Sequence, residues 1–270
     1  MTDQPSPAVL LELAVATARE AAAMIARERA GAGAQVDTKS SPTDVVTAVD
    51  RAAEELITAR LLGARPGDGL LGEEGGERAG TTGVRWVVDP VDGTVNLLYG
   101  LPAFSVSIAA EVDGRVVAGV VHNVLTGEVY TATAGGGAHE TSPARPEPVR
   151  LTGSNPASLE QTLVLTGFGY RVEERRAQGA VVAELLPLVR DIRRHGSSAL
   201  DLCTVAAGRV DAYYEEGLKP WDHAAGALVA AEAGAVVTGL PGRPFADPLA
   251  IAVTPSVAGP FVELLARLHA

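Results

Sequence analysis

Asp89 and Asp92 stand three residues apart around Pro90-Val91, and Gly93-Thr94 follows at once. Trp86-Val87-Val88 leads in as a buried strand would. Aspartate is unfavourable inside a strand, so this pattern predicts both acids at the strand's end, with Pro90 stopping the ladder there. Gly93 permits a tight turn or a close approach to a ligand. Two carboxylates, the Val91 carbonyl and the Thr94 hydroxyl form an all-oxygen donor set, the kind that suits a hard cation such as magnesium.

Other acids could complete such a site, and each has a plainer reading. Asp50 shares or borders the apolar stripe of a helix predicted from Asp44 to Leu62, either as a surface residue at the stripe's edge or as an inward carboxylate. Glu73 and Glu74 lie between Gly72 and Gly75-Gly76, as solvated turn residues or as acids brought to a metal without crowding. Asp222 opens the apolar helix of Pro220–Gly226, either as its cap or as a carboxylate at a rigid helix start. Glu215 follows Tyr213-Tyr214 at a strand end, and Gly196-Ser197-Ser198 precedes a helix whose N–H groups could receive an anion or hydroxyls. The five histidines show no pair at metal-binding spacing, which argues against zinc. Neither a nucleophile elbow nor a phosphate-binding P-loop motif occurs.

Composition narrows the class. The chain has 270 residues, 47% hydrophobic and 20% charged, enough for a folded core in one large domain or two small ones. Its net charge of −11 argues against a nucleic-acid or anionic-membrane partner. Cations held by the acids would reverse that field locally, so an anionic substrate stays compatible. One cysteine, Cys203, rules out an internal disulfide. With no signal-like start and no apolar run of membrane-spanning length, a soluble cytoplasmic protein is expected.

The elements that must position these residues are legible in outline. A first helix runs from Ser6-Pro7 to Gly31. Residues 67–83 read as a glycine-rich loop. Phe104 to Thr133 reads as hairpins, turning at Asp113-Gly114 and Thr126-Gly127. Gly135-Gly136-Gly137 and the proline-rich 142–148 mark a compositional break, and beyond it strands and helices alternate. This predicts an α+β half at 1–140 and an α/β half at 141–270.

Taken together, five ordered blocks resemble the inositol monophosphatase family, the magnesium-dependent, lithium-sensitive phosphatases. They are Lys39–Asp50, Gly72-Glu73-Glu74, Asp89–Thr94, Gly196–Cys203, and Trp221–Gly226 with Glu232-Ala233-Gly234. The likeness runs from about residue 8 to 265 and is especially close to actinobacterial members. It implies the layered sugar-phosphatase fold, an α+β sandwich of αβαβα order, with most metal ligands in the N-terminal half. It implies two or three magnesium ions. Glu73, Asp89 and the Val91 carbonyl would hold one ion; Asp89, Asp92 and Asp222 would hold a second; Glu73 would help bind a third through water. Thr94, backed by Asp50, would orient and deprotonate the attacking water. The N–H groups of Gly93 and Thr94 would receive the phosphate, and Ser198, Glu215, Asp222 and Asp92 would contribute to the substrate site. Lys39 matches a lysine near the metal shell.

Such an arrangement suits phosphate monoester hydrolysis, because paired cations about 3.5–4 Å apart offset the repulsion between an incoming hydroxide and a dianion. The resemblance implies myo-inositol 1-phosphate as substrate and a homodimeric, cytoplasmic enzyme. Fructose 1,6-bisphosphate, histidinol phosphate and 3′-phosphoadenosine 5′-phosphate are the substrates of related enzymes, and acidic Glu215 disfavours a second phosphate nearby. A catalytically silent relative that binds metal or a protein partner would have lost a ligand or the Thr94–Asp50 pair, and all are present. Two positions depart from the family pattern. Leu97 follows Asn96 where an aromatic residue is usual, and Ser198 stands where alanine is common.

Overall fold

The structure, a computed structural model, describes residues 4–31, 36–38 and 45–270. Helix α1 (Pro7–Gly31) comes first, then strands β1 (Val36–Thr38) and β2 (Val45–Thr47), which pair with each other, and helix α2 (Ala48–Ala64). Next come β3 (Gly69–Gly72), β4 (Gly76–Arg78), β5 (Val84–Asp92) and the short α3 (Thr94–Tyr99). The first sheet is completed by β6 (Ser105–Val112), β7 (Arg115–Asn123), β8 (Val129–Thr133), β9 (Gly137–Ser142) and β10 (Arg145–Arg150). The remainder alternates through β11 (Leu163–Thr166), α4 (Val172–Leu185), β12 (Asp191–Arg193), α5 (Ser198–Ala206), β13 (Ala212–Glu216) and α6 (Pro220–Glu232). It closes with β14 (Val236–Thr238), β15 (Leu249–Val253) and α7 (Ala258–Leu268).

Eight strands form one sheet in the order β10-β9-β8-β7-β6-β5-β3-β4, antiparallel except for the β3–β5 pair. Five form the other, β12-β11-β13-β15-β14, with β11 parallel to both neighbours. Among the described residues, four apolar clusters separate the layers. The first packs Leu10, Ala18 and Ile25 of α1 and Ile57 of α2 against Trp86, Ile108 and Val120 of the large sheet. On the sheet's other face, Val87, Ala109 and Val121 meet Cys203 of α5 and Ala225 and Val229 of α6. Leu202 and Ala230 then cover Leu165 and Tyr213 of the second sheet. Val164, Tyr214 and Ile251 on that sheet's far side pack against Phe261 and Leu264 of α7 and Leu185 of α4. The layers therefore run helix, sheet, helix, sheet, helix, as expected. Both faces of the large sheet are covered, so its central strands read as nearly continuous apolar runs.

Several elements differ from the sequence reading. The helix predicted from Asp44 starts at Ala48, because the β-branched run Val45-Val46-Thr47 pairs with β1 instead. Asp44 itself and Lys39 lie outside the described residues. The glycine-rich 67–83 stretch holds two short strands, β3 and β4, whose apolar content is only Leu70-Leu71. The compositional break at 135–148 is the β9–β10 hairpin, which extends the first sheet to Arg150. Pro146 and Pro148 are tolerated there because β10 is an exposed edge strand.

Small residues let the middle layer approach its neighbours. A Cβ at Gly119 of β7 would stand 3.0 Å from the Ala225 Cα, and one at Gly226 of α6 would stand 2.9 Å from the Ala199 carbonyl oxygen and 3.0 Å from Leu202. Helix α6 is thus clamped between the large sheet and α5, and this fixes where its N-terminal end projects. Gly226→Val should overpack that contact and lower stability by about 1–3 kcal/mol, read from the urea midpoint. An unchanged midpoint would show that α6 is not tightly seated.

Candidate active site

Strand β5 supplies the first two acids. Along it, Trp86 and Val88 face α1 and α2 while Val87 faces α5 and α6. Asp89 continues on the Val87 side, paired opposite Ser107 of β6. A regular pleat would send Asp92 to the other face, since side chains alternate with period two. Asp92 instead pairs opposite Ser105, so three steps on β5 match two on β6. The extra residue is a β-bulge at Pro90-Val91. Both carboxylates consequently face α5 and α6, and the Val91 side chain enters the α1–α2 core. The expectation that Pro90 ends the strand is corrected: pairing resumes at Asp92, and Pro90 sits where a missing N–H costs the ladder least.

Glu73 reaches the same face by register. Parallel pairing sets Leu71 opposite Val87 and Gly72 opposite Val88, and the Glu73 N–H donates to the Val88 carbonyl at 3.2 Å. Glu73 therefore comes beside Asp89. Asp222 enters from the next layer at the start of α6. It is not the N-cap: it occupies the third helical position and accepts the N–H of the N-cap residue Lys219 at 2.6 Å.

Thr94 begins α3 directly after Gly93. Gly93 has φ +95, and a Cβ there would lie 2.8 Å from the Ala103 carbonyl oxygen, so glycine is required at this turn. The Thr94 hydroxyl is 2.8 Å from Asp50 Oδ1, to which it donates, and 3.1 Å from the Val91 carbonyl oxygen. Asp50 is the inward carboxylate and is buried. Asn96 braces the turn, donating to the Ala103 and His195 carbonyls at 2.6 and 2.7 Å.

The Gly196–Ser198 segment supports an acid of the site. Ser197 and the neighbouring Ala199 N–H serve Asp92. The Ser197 hydroxyl donates to Asp92 Oδ2, the Ala199 N–H donates to the same oxygen at 2.8 Å, and Ser198 Oγ lies 3.3 Å from Oδ1. Ser198 also donates to the Asp222 carbonyl at 3.0 Å, joining α5 to α6. Ser197 was not singled out in sequence, although a serine just before an apolar helix signals an N-cap, and it does accept the Leu200 N–H.

Glu73, Asp89, Asp92, Thr94, Ser198 and Asp222 line one cleft of about 440 Å³, together with Glu215, Arg194 and Lys219. Glu215 comes from β13 and accepts the Tyr213 hydroxyl at 2.8 Å. Burial raises Asp89 well above the usual carboxylate range, and the charges of Glu73, Asp92 and Asp222 add to the effect. Burial likewise lifts Asp222, against the pull of the Lys219 N–H. Asp92 rises to about 7 through burial although the Ser197 hydroxyl and Ala199 N–H oppose it. Glu215 also rises to about 7 from burial, opposed by the Tyr213 hydroxyl.

Among the described residues, no three His, Cys, Asp or Glu side chains close into a tight ligand cage; the acids stand around the cleft. Their chemistry still discriminates. Glu73, Asp89, Asp92, Asp222 and the Val91 carbonyl offer hard oxygen donors, and among the described residues no histidine or cysteine lines the cleft. This set fits magnesium-like cations and not zinc or copper.

Comparison with known proteins gives a consistent result. Residues 6–268 match the model of the inositol monophosphatase family. The chain is similar to the inositol-1-monophosphatase of Mycobacterium bovis, at 49% identity over 97% of this chain and 94% of that one. It is 40% identical to the Salmonella typhimurium protein named Nus factor SuhB, with 86% of each chain covered. In three dimensions it resembles Mycobacterium tuberculosis SuhB with a TM-score of 0.82 and 44% identity, covering 97% of this chain and 98% of the other.

The Ser197 contacts give a direct test of how Asp92 is held. Ser197→Ala deletes both the α5 cap and a hydrogen bond to a buried acid, which should lower stability by about 1–3 kcal/mol in urea unfolding. Ser197→Thr should retain most of it. Equal stability of the alanine variant and the parent protein would remove Ser197 from the site's support.

Proposed function

The chain belongs to the inositol monophosphatase family, and we propose that it hydrolyses myo-inositol 1-phosphate to myo-inositol and phosphate in a magnesium-dependent reaction. The observation that carries this reading is the shared face of Asp89 and Asp92, created by the β5 bulge and met by Glu73 and Asp222. Glu73, Asp89 and the Val91 carbonyl would hold one ion, and Asp89, Asp92 and Asp222 a second, with Glu73 contributing to a third through water. Bound there, magnesium supplies positive charge against the phosphate dianion, acidifies water and stabilises the departing alkoxide.

The chain's own residues account for the rest. Asp50 Oδ1 accepts the Thr94 hydroxyl proton, which leaves a Thr94 Oγ1 lone pair to accept from the attacking water. A proton leaving the water then has a short route through Thr94 to Asp50. The Gly93 and Thr94 N–H groups would receive a phosphate oxygen. Arg194 and Lys219 place positive charge in the cleft, which favours entry of a dianion. Glu215 can accept hydroxyl protons from a polyol, and its charge opposes a second phosphate. Ser198 already donates to the Asp222 carbonyl, so its oxygen is an acceptor for a substrate hydroxyl. A homodimer in the cytoplasm belongs to the same reading; a sedimentation mass of one chain would remove the dimer from it.

Phosphate release from myo-inositol 1-phosphate should require magnesium and stop on chelation. Asp92→Asn should abolish it, and Thr94→Val should lower kcat by about 10²–10⁴-fold, the range for general acid–base assistance. Activity that survived Asp92→Asn, or needed no divalent ion, would overturn the mechanism. A panel including fructose 1,6-bisphosphate, histidinol phosphate and 3′-phosphoadenosine 5′-phosphate, compared by kcat/KM, tests the substrate. A higher value for any of these would reassign it.

A further inference from the structure

Glu54 lies on α2 one turn after Asp50, and both carboxylates are buried. Residues four apart share a helix face. Asp50 uses that face to reach Thr94, whereas Glu54 reaches the loop that joins β3 to β4. Its Oε2 accepts the Glu74 N–H at 2.8 Å, and its Oε1 accepts the Gly75 N–H. These are the two backbone donors immediately after Glu73.

The glycines on either side fit this contact. A Cβ at Gly72 or at Gly75 would stand 2.5 Å from Glu54 Oε1. Neither glycine has left-handed backbone geometry, so what bars a side chain at both positions is the carboxylate itself. The sequence pattern Gly72-Glu73-Glu74-Gly75 is accordingly a seat for Glu54. The glycines make room for a supporting acid behind the loop, and not simply for a metal in front of it.

We infer that Glu54 is a positioning residue for the cation site: by gripping the 73–75 loop it holds the Glu73 carboxylate beside Asp89. This rests on the reading of Glu73 as a cation ligand. The physical basis is that a carboxylate taking two N–H donors makes charge-assisted bonds with fixed direction. A ligand group must be held to within about 0.5 Å to be productive. Helix α2 then supports the site at two points, with Asp50 behind the Thr94 hydroxyl and Glu54 behind the Glu73 loop. Residues that orient metal ligands in this way change metal affinity by about 10–100-fold when removed.

A purely structural Glu54 would stabilise the loop without acting through Glu73, and a double-mutant cycle separates the two roles. Magnesium alone is titrated calorimetrically into the parent protein, Glu54→Gln, Glu73→Gln and the double variant. Glu54→Gln, with one acceptor for two donors, should weaken magnesium binding by about 10–100-fold. The double variant should bind no more weakly than Glu73→Gln. Parent-like affinity in Glu54→Gln, or losses that add in full, would overturn the inference. Parent-like affinity in Glu73→Gln would instead remove the underlying ligand reading, and the inference with it. Should Glu54→Gln not fold, Gly75→Ala displaces the carboxylate from the loop side and must show the same loss; parent-like binding there overturns the inference.

Discussion

Because side chains on a strand alternate, two carboxylates three residues apart can share a face only if the strand gains a residue between them. The bulge at Pro90-Val91 does this, and the rest of the site follows from it. Without the extra residue Asp92 would point into the α1–α2 core, where Val91 and Trp86 now sit. With it, Asp89 and Asp92 face the middle helical layer, opposite the small residues Ser107 and Ser105. The parallel β3–β5 pair then delivers Glu73 to the same side by register alone.

The middle layer must come close enough to complete the cleft, and the composition makes this feasible. Gly119 against Ala225 and Gly226 against Ala199 let α6 lie tight against both β7 and α5. That closeness brings the start of α6, with Asp222, over the bulged strand. It also brings the start of α5 onto Asp92, where Ser197 and the Ala199 N–H partly offset the cost of burying the acid. A chain richer in large aromatic side chains could build thicker layers but would hold these helix ends farther from β5.

Much of this was readable in sequence, and what was not has physical reasons. The strand, the turn at Gly93 and the acids at 73, 89, 92 and 222 could all be picked out by residue type. Their common face could not, because a bulge depends on the partner strand's register and leaves no periodic signal in β5. Strands β3, β4, β9 and β10 were missed because each contains glycine or proline and carries few β-branched or aromatic residues, so they exist through pairing with neighbours rather than through propensity. Glu54 escaped notice because an acid on a helix reads as a solvated residue. The clue was its position four residues after Asp50, beside the apolar positions Ala53 and Ile57.

The same geometry sets up an energetic opposition. Asp89, Asp92, Asp222 and Glu215 are pushed upward in pKa chiefly by burial, which means that their ionised forms oppose the folded state. The stabilising counterweight comes from the apolar contacts between layers. On the proposed reading, cations that bind only the folded cleft would stabilise it by mass action. They would also relieve the repulsion that the bulge creates by gathering the acids on one face. A site whose acids come from β5, the β3–β4 loop and the start of α6, with α2 behind it, therefore forms only once the layers have packed. This makes cation affinity a sensitive report on the seating of α2, which supplies none of the proposed ligands.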